Sequence, residues 1–541
     1  MHRRTTLSVA LFFLIPIGLT AAPAEEARAA REAARLSSIV EAVHVAPVAV
    51  AGPALTRQQV LDAPLSGAPY FDLLKAHGLD RELPTPHDTA EGVTSLVDTF
   101  TQRGRFQIGT EAIATVDLPT KDISQNLEAD IEPSVVAVNV SGIDYTAFTY
   151  ITYDTVGGVV TPRNHYARTT GSFSTFNRGL LPIPAGYTHS ADPITAVNNT
   201  ASAPGAKRIY CAGIIYNAGM ENAPNGIAVW RSDNGGSTWA GPTVLATSAG
   251  GGHFLDKPAI AVSLHAGSIG YVYVAWMDID TASPVNSSLH VSRSIDGGIT
   301  FPQDRILTFD FVQGPQVAVS TSDGTVHAAW MNDTFDDIRY TKSIDLGNTF
   351  GAHEVISSGQ VLRTAGNGNR NINGNLRAGT LPIMRWNNTV GKVAVVWHAD
   401  TPTVNSYLSF KPCSSSCNAF GWRNAVRVNT DVTTTDQFMP AISANNAGNW
   451  IVTFYDRRDD PANQLYHVYY ALAVPTGTIT ENGKVTTTAT DPSATLFNFI
   501  GDYQDVYVHN YGGTYRAAAA WAQAATFTTY LDIYGTKITW P

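Results

Sequence analysis

"SRSIDGGITF", residues 292–301, sets two glycines behind an aspartate in a hydroxyl-rich, β-branched neighbourhood and closes on an aromatic. Each residue type has a task in a tight hairpin. Glycine takes the positive φ that the turn needs. Aspartate accepts backbone N–H bonds within the loop, and Ser and Thr hydroxyls add local ones. Two other stretches share the pattern, "WRSDNGGSTW" at 230–239 and "TKSIDLGNTF" at 341–350. The common positions are Ser232, Asn234, Gly236, Thr238, Trp239; Ser294, Asp296, Gly298, Thr300, Phe301; and Ser343, Asp345, Gly347, Thr349, Phe350. The stretch is one copy of a repeat.

Two further signals keep the same phase. Proline marks the openings "EPSVVAVN", "DPITAVN", "KPAIAV", "GPQVAV", "LPIMRW" and "MPAISA" at 133, 193, 258, 315, 382 and 440, in steps of 60, 65, 57, 67 and 58. A seventh opening, "GDYQDVYV", places Tyr503 a further 63 along. Proline suits the first residue of a strand, where no ladder donor is lost. After each later opening comes an apolar strand ending in an aromatic: Trp276, Trp330, Trp397, Phe454 and Trp521. Units near sixty residues holding four short strands describe the blades of a β-propeller. The fold class is all-β, with seven blades expected and six as the alternative. The last opening is followed by only about forty residues, so a strand from "RFQIGTEAIATVD" (105–117) is expected to complete that blade and latch the ring.

Around this repeat the chain divides into three. Residues 1–24 read as a secretory signal peptide: His2, Arg3 and Arg4, an apolar run from Leu7 to Leu19, then Ala22-Pro23-Ala24. Residues 25–104 read as a leader or loosely packed arm, helix-forming at first and then proline-punctuated. Residues 105–541 are the propeller. The mature protein is expected to be secreted or periplasmic, free of the membrane after signal cleavage, and monomeric. A net charge of −10 offers no basic patch for phosphates, which argues against nucleic acid.

The repeated hairpin is the Asp-box motif, and through it the chain resembles the sialidase-like (bacterial neuraminidase repeat) β-propellers of secreted bacterial type. The resemblance covers roughly residues 105–541 and implies that the box aspartates are turn residues. In the fifth unit the box position reads "CSSSCNAFGW", with Cys417 where the Asp belongs and Trp422 in the aromatic slot. In an exported protein, Cys413 and Cys417 are expected to form a short disulfide in place of the box's hydrogen bonds, leaving Cys211 a buried thiol. A metal reading of this pair lacks further ligands. No cofactor is expected, although an acidic loop leaves room for structural calcium.

Propellers present their active face through loops that enter the first strand and leave the second. Here those loops carry His253, Asp256 and Lys257; Arg370 and Arg377; Asp436 and Gln437; Asp502 and Tyr503; and "YDRRDDP", Tyr455 to Pro461. The resemblance implies three arginines on a carboxylated sugar, a tyrosine nucleophile assisted by a glutamate, and an aspartate as acid/base. Tyrosine replaces the usual carboxylate there because an anionic nucleophile would repel the anionic substrate. Tyr503 beside Asp502, or Tyr455 beside Asp456, are the candidate nucleophiles, and Asp256 is the candidate acid. Arg457, Arg458, Arg385, Arg377 and Arg370 are the candidate clamp, since guanidinium forks match carboxylates. The Phe/Tyr-Arg-Ile-Pro motif of the family is absent; "DRIL" at Arg305 lacks its proline. The expected function is a carbohydrate-active enzyme cleaving glycosidic bonds in an acidic glycan or polysaccharide. The alternatives are a polysaccharide lyase, in which His398, Tyr455 and Lys257 abstract a proton and neutralise charge, and a non-catalytic propeller that binds glycan or protein.

Overall fold

A computed structural model describes residues 114–540 apart from 118–119, 126–127, 202–203, 220–221, 333, 359–370, 401–403, 413–420, 495–498 and 525–530, together with Pro69, Asp72, Leu73 and Ala76. Seven antiparallel sheets form the blades of a β-propeller. Blade I opens on Asp130–Val140, II on His189–Asn198, III on His253–Val262, IV on Val312–Val319, V on Ile383–Asn387, VI on Gln437–Ala444 and VII on Asp505–Tyr511. Each of these innermost strands packs against its two neighbours, and VII meets I, so the ring closes. Seven blades are present, as the spacing of the openings indicates.

Blade VII is built from both ends of the propeller sequence. Asp505–Tyr511, Thr514–Ala524 and Leu531–Thr539 supply three strands, and Thr115–Val116 and Lys121–Asp122 both pair antiparallel with the third. The latch thus falls at 115–122, partly beyond the expected stretch. Pairing across the chain ends removes an exposed strand edge that would otherwise template association. Trp330, Trp397 and Trp521 are fully buried, and their second strands run two to three residues beyond them instead of ending there.

The three repeated hairpins share one hydrogen-bond set. Asp296 Oδ1 accepts the backbone N–H groups of Ile299 and Thr300 at 3.0 and 2.9 Å, while Thr300 Oγ1 donates to Oδ2 at 2.6 Å. Asp345 does the same for Thr349, and Asn234 for Ser237 and Thr238. Gly298 has φ +77°, and a Cβ there would come within 2.9 Å of the Tyr210 ring. Arginines of the preceding blade hold the hairpin tips: Arg208 donates to Gly297 O at 2.9 Å and Arg293 to Leu346 O at 2.6 Å. These aspartates are occupied by the turn itself. Cys413 and Cys417 lie outside the described residues, and Cys211 is a buried free thiol.

Five of the six opening prolines sit differently from the expectation. They do not begin strands, whereas Pro382 directly precedes Ile383–Asn387. In blades I, II, III, IV and VI the register slips at 131–134, 191–194, 256–259, 313–316 and 438–441, so Pro133, Pro193, Pro258, Pro315 and Pro440 each lie in a β-bulge inside the innermost strand. A bulge leaves a residue unpaired, so the missing N–H costs no ladder bond. The residue before each proline has positive φ: Glu132 (55°), Asp192 (51°), Lys257 (48°), Gly314 (55°) and Met439 (48°). Glycine takes this conformation freely, as in blade IV. The other four hold it at a cost of about 1–3 kcal/mol each.

Candidate functional site

Three of those strained residues are charged and buried, and they meet at one end of the ring. Glu132 is fully buried, Asp192 and Lys257 nearly so. The end is set by topology: His253 pairs with Asp280, so the starts of first strands and the ends of second strands share a face, whereas the repeated hairpins leave the opposite one. That is the face expected to carry chemistry. Lys257 reaches from blade III to Asp502 at the entry to blade VII, Nζ to Oδ2, 2.9 Å. Arg377 donates to the same oxygen at 3.1 Å from a two-stranded hairpin, Asn371–Ile372 with Leu376–Arg377, that precedes blade V. The Asp502 N–H donates to Glu132 Oε1 at 3.0 Å. Glu132 Oε2 and the Tyr153 hydroxyl are buried without a hydrogen-bond partner among the described residues. Tyr503 lies beside them, its hydroxyl 3.5 Å from Pro193 O.

The electrostatics follow from burial and crowding. Loss of solvent, with Asp192 and Asp502 close by, pushes the Glu132 carboxyl well above the usual range. Burial opposes the Lys257 ammonium, but Asp502, Asp256 and Asp192 outweigh it and raise the group. Burial, with Glu132 and Asp192 close by, holds the Tyr503 and Tyr153 phenols protonated. The cluster therefore contains a carboxyl group held toward its protonated form, the carboxyl groups of Asp192, Asp256 and Asp502, two phenols and two cations.

The structure brings Asp502, Tyr503, Asp256, Lys257 and Arg377 together, with Asp256 Oδ1 accepting the Lys257 N–H at 2.8 Å. It places the others apart from them. Tyr455 is not in a loop. It is the penultimate residue of the strand Trp450–Asp456, fully buried against Phe438 and Tyr466, with its hydroxyl accepting the Ala522 N–H at 3.1 Å. Asp456 is buried too, and desolvation lifts its carboxyl to about 6 although Arg458 donates to it at 2.8 Å. Arg458 lies over the Tyr469 ring. Arg457 is fully buried, donating to the Asn373 and Asn463 carbonyls at 2.8 and 2.9 Å and facing Asp436 at 3.4 Å. Tyr455 and Asp456 belong to the strand, and Arg457 and Arg458, the two residues after it, turn back onto Asp436 and Asp456 instead of facing a funnel. Arg385 pairs with Asp505 at 3.0 Å, deeper along the same ring of inner strands. His398 is a strut between blades: its Nδ1 accepts the Met439 N–H and its Nε2 faces Ala378 O, both at 3.2 Å. Arg370 lies outside the described residues. Each of the described clamp candidates, Arg377, Arg385, Arg457, Arg458 and Lys257, already faces a carboxylate of its own chain.

Glu132, Asp192 and Tyr153 escaped the sequence reading. The signal was visible: the residue before each opening proline is charged in blades I, II and III.

No family model matches the sequence, and no curated protein matches it. Solved structures do. A protein of unknown function from Dyadobacter fermentans is 12% identical over 79% of this chain and 99% of that chain, with a TM-score of 0.45. An α-L-arabinofuranosidase from Fusarium graminearum is 10% identical over 80% and 98%, at 0.42. A Hadza microbial sialidase is 15% identical over 60% and 63%, at 0.40. Sialidases and arabinofuranosidases are among the structures that this seven-bladed propeller resembles.

Proposed function

We propose that the chain is an exported, sialidase-like, carbohydrate-active enzyme that cleaves glycosidic bonds in an acidic glycan, with its chemistry in the axial cluster. One observation carries the reading: Glu132, fully buried and held in a left-handed bulge, sits between Asp192 and Asp502 with Oε2 unused among the described residues. Burial and like charges keep such a group protonated, which is what protonation of a leaving oxygen requires. In the proposed step the Glu132 proton passes to the glycosidic oxygen. The C–O bond breaks with its electron pair on that oxygen, and water adds to the anomeric carbon while its proton passes to Asp192, so that a new reducing end forms. Lys257 retains N–H groups beyond the one given to Asp502, and these suit a substrate carboxylate.

The test is turnover on a panel of neutral and uronate-containing polysaccharides, read as new reducing ends and as the absorbance of unsaturated uronates. Wild-type protein is expected to release reducing ends, and Glu132→Gln to lose most of that release while remaining folded. Activity unchanged in Glu132→Gln would sink the assignment. A second reading, a glycan-binding propeller without catalysis, is favoured by the sharing of one Asp502 oxygen between Lys257 and Arg377, which leaves the cluster internally paired. Binding without turnover by both proteins would select it.

A further inference from the structure

Blade III carries a second chemical constellation, two strands outward from the one that holds Lys257. Its second, third and fourth strands are Val272–Asp280, Ser288–Ser294 and Gln303–Phe309. Ser288, His290 and Ser292 alternate onto one face of the third strand. The register sets Trp276 opposite His290 and Asp304 opposite Ser292, so both join that face. There Ser288 Oγ lies 2.8 Å from His290 Nε2, and His290 Nδ1 lies 2.7 Å from Asp304 Oδ2. The other Asp304 oxygen accepts the Ser292 hydroxyl at 3.0 Å, and Ser292 Oγ accepts the Trp276 indole N–H at 3.1 Å. The Trp276 ring stacks on the imidazole, with 4.0 Å between centroids and 16° between planes.

These contacts assign the protons. A carboxylate only accepts, so in the neutral ring Nδ1–H points to Asp304 and Nε2 is left to accept the Ser288 hydroxyl. That hydroxyl has no other partner among the described residues. The ring is thus fixed through both nitrogens and one face, in the arrangement that makes a serine nucleophilic.

We propose that Ser288, His290 and Asp304 form a second catalytic site, in which an activated serine transfers the acyl group of a small, neutral carboxylic ester to water. The site stands independently of the axial cluster. Ser288 keeps 6% of its surface and lies opposite Phe309, which is 70% exposed, while Ile306, opposite His290, is 48% exposed. These two side chains offer apolar cover to a short acyl or aryl group. Asp304 and Asp278, the latter opposite Ser288 on the second strand, disfavour an anionic substrate. In the first step Ser288 Oγ bonds to the ester carbonyl carbon and its proton passes to His290 Nε2. The bond to the alcohol oxygen then breaks with its electron pair on that oxygen, which takes the proton. Water next gives a proton to Nε2, adds to the acyl carbon and displaces Ser288, which recovers that proton. The sum is ester plus water giving acid plus alcohol. Asp304 touches no substrate; it positions the imidazole and stabilises its charged form.

The experiment uses the full chain as wild type, Ser288→Ala, His290→Gln and Asp304→Asn. A fluorophosphonate probe, mapped by mass spectrometry, reports the nucleophile, and p-nitrophenyl acetate reports turnover. The probe is expected to phosphonylate Ser288 in folded wild type and not in urea-unfolded protein. Each variant is expected to lose at least about 100-fold in turnover, with unchanged circular dichroism. In Asp304→Asn the loss is expected in kcat, with KM within about threefold of wild type. The anionic mono-p-nitrophenyl succinate is expected to react at least about tenfold more slowly than the acetate. Folded wild type that is unlabelled at Ser288, or labelled there equally when unfolded, overturns the site whatever the variants do. Labelling that His290→Gln and Asp304→Asn leave as fast as in wild type also overturns it, because the hydrogen-bond chain is then only a tie between strands. A loss confined to KM in Asp304→Asn overturns the role of Asp304, and equal rates on the two esters overturn the neutral-ester assignment.

Discussion

Lys257 and Asp502, 245 residues apart in the chain, meet at 2.9 Å between blades III and VII with 6% and 2% of their side chains exposed. The pair joins two blades that are not neighbours in the ring, and Arg377 completes it from a third direction. Removing one member of a buried ion pair leaves its partner desolvated. Lys257→Met is expected to cost about 3 kcal/mol, the low end of the range of about 3–5 kcal/mol, because Arg377 remains beside Asp502. Urea unfolding of the two proteins measures it, and a loss below about 1 kcal/mol would show that the pair is solvated.

Glu132 predicts a pH dependence of opposite sign to that of an ordinary surface carboxylate. Its folded pKa is raised above the ordinary value of 4.5, so its protonated form favours the fold at low pH and that contribution is lost as pH rises through the raised value. Glu132→Gln keeps the Oε1 acceptor for the Asp502 N–H and removes the titration. The variant is expected to gain stability relative to wild type as pH rises from 4 to 8, by about 1.4 kcal/mol for each pH unit between the unfolded and folded pKa values. A stability difference that is flat with pH would contradict the crowded, buried carboxyl.

At the other end of the molecule, Asp296 is a turn residue with a depressed carboxyl. Burial opposes this, but the bonds from Thr300, Ser294 and Ile299 together outweigh it and bring the group to about 2. Its contribution is therefore present above the unfolded value near 4 and lost as pH falls toward 2. Asp296→Ala is expected to lower stability at neutral pH by about 1–2 kcal/mol, with the gap from wild type narrowing below pH 4 and turnover per folded molecule unchanged. Lost turnover at unchanged stability would give the hairpin a chemical role.

Arg457 holds the loop before blade V rather than an open funnel wall. It is fully buried and bonded to the carbonyls of Asn373 and Asn463. Arg457→Ala is expected to cost about 3–5 kcal/mol by stranding Asp436 and freeing both carbonyls. Thermal unfolding reads the loss. A variant as stable as wild type that fails only to bind glycan would restore Arg457 to the ligand.

The repeat determined the fold by itself. A turn that needs Gly at positive φ and Asp as an acceptor leaves a local signature, and a blade too small to bury its own faces must recur, so the period appears in the sequence. The same locality made the hairpins legible down to Asp296 and Thr300. Lys257, Asp502 and Arg377 were legible as residues of one face, because entry loops are fixed by strand direction. Their pairing was not, since which blades face each other is decided only when the ring closes. Tyr455 and Arg457 show the other limit: a run such as "YDRRDDP" does not state where the strand ends, and a shift of one position turns a side chain from solvent to core. Glu132, Asp192 and Lys257 occupy the same place in three successive repeats, yet only tertiary structure makes them neighbours. The bulge at each proline turns them toward the axis, and there the loss of water and the approach of like charges give Glu132 a protonation state that no stretch of sequence contains.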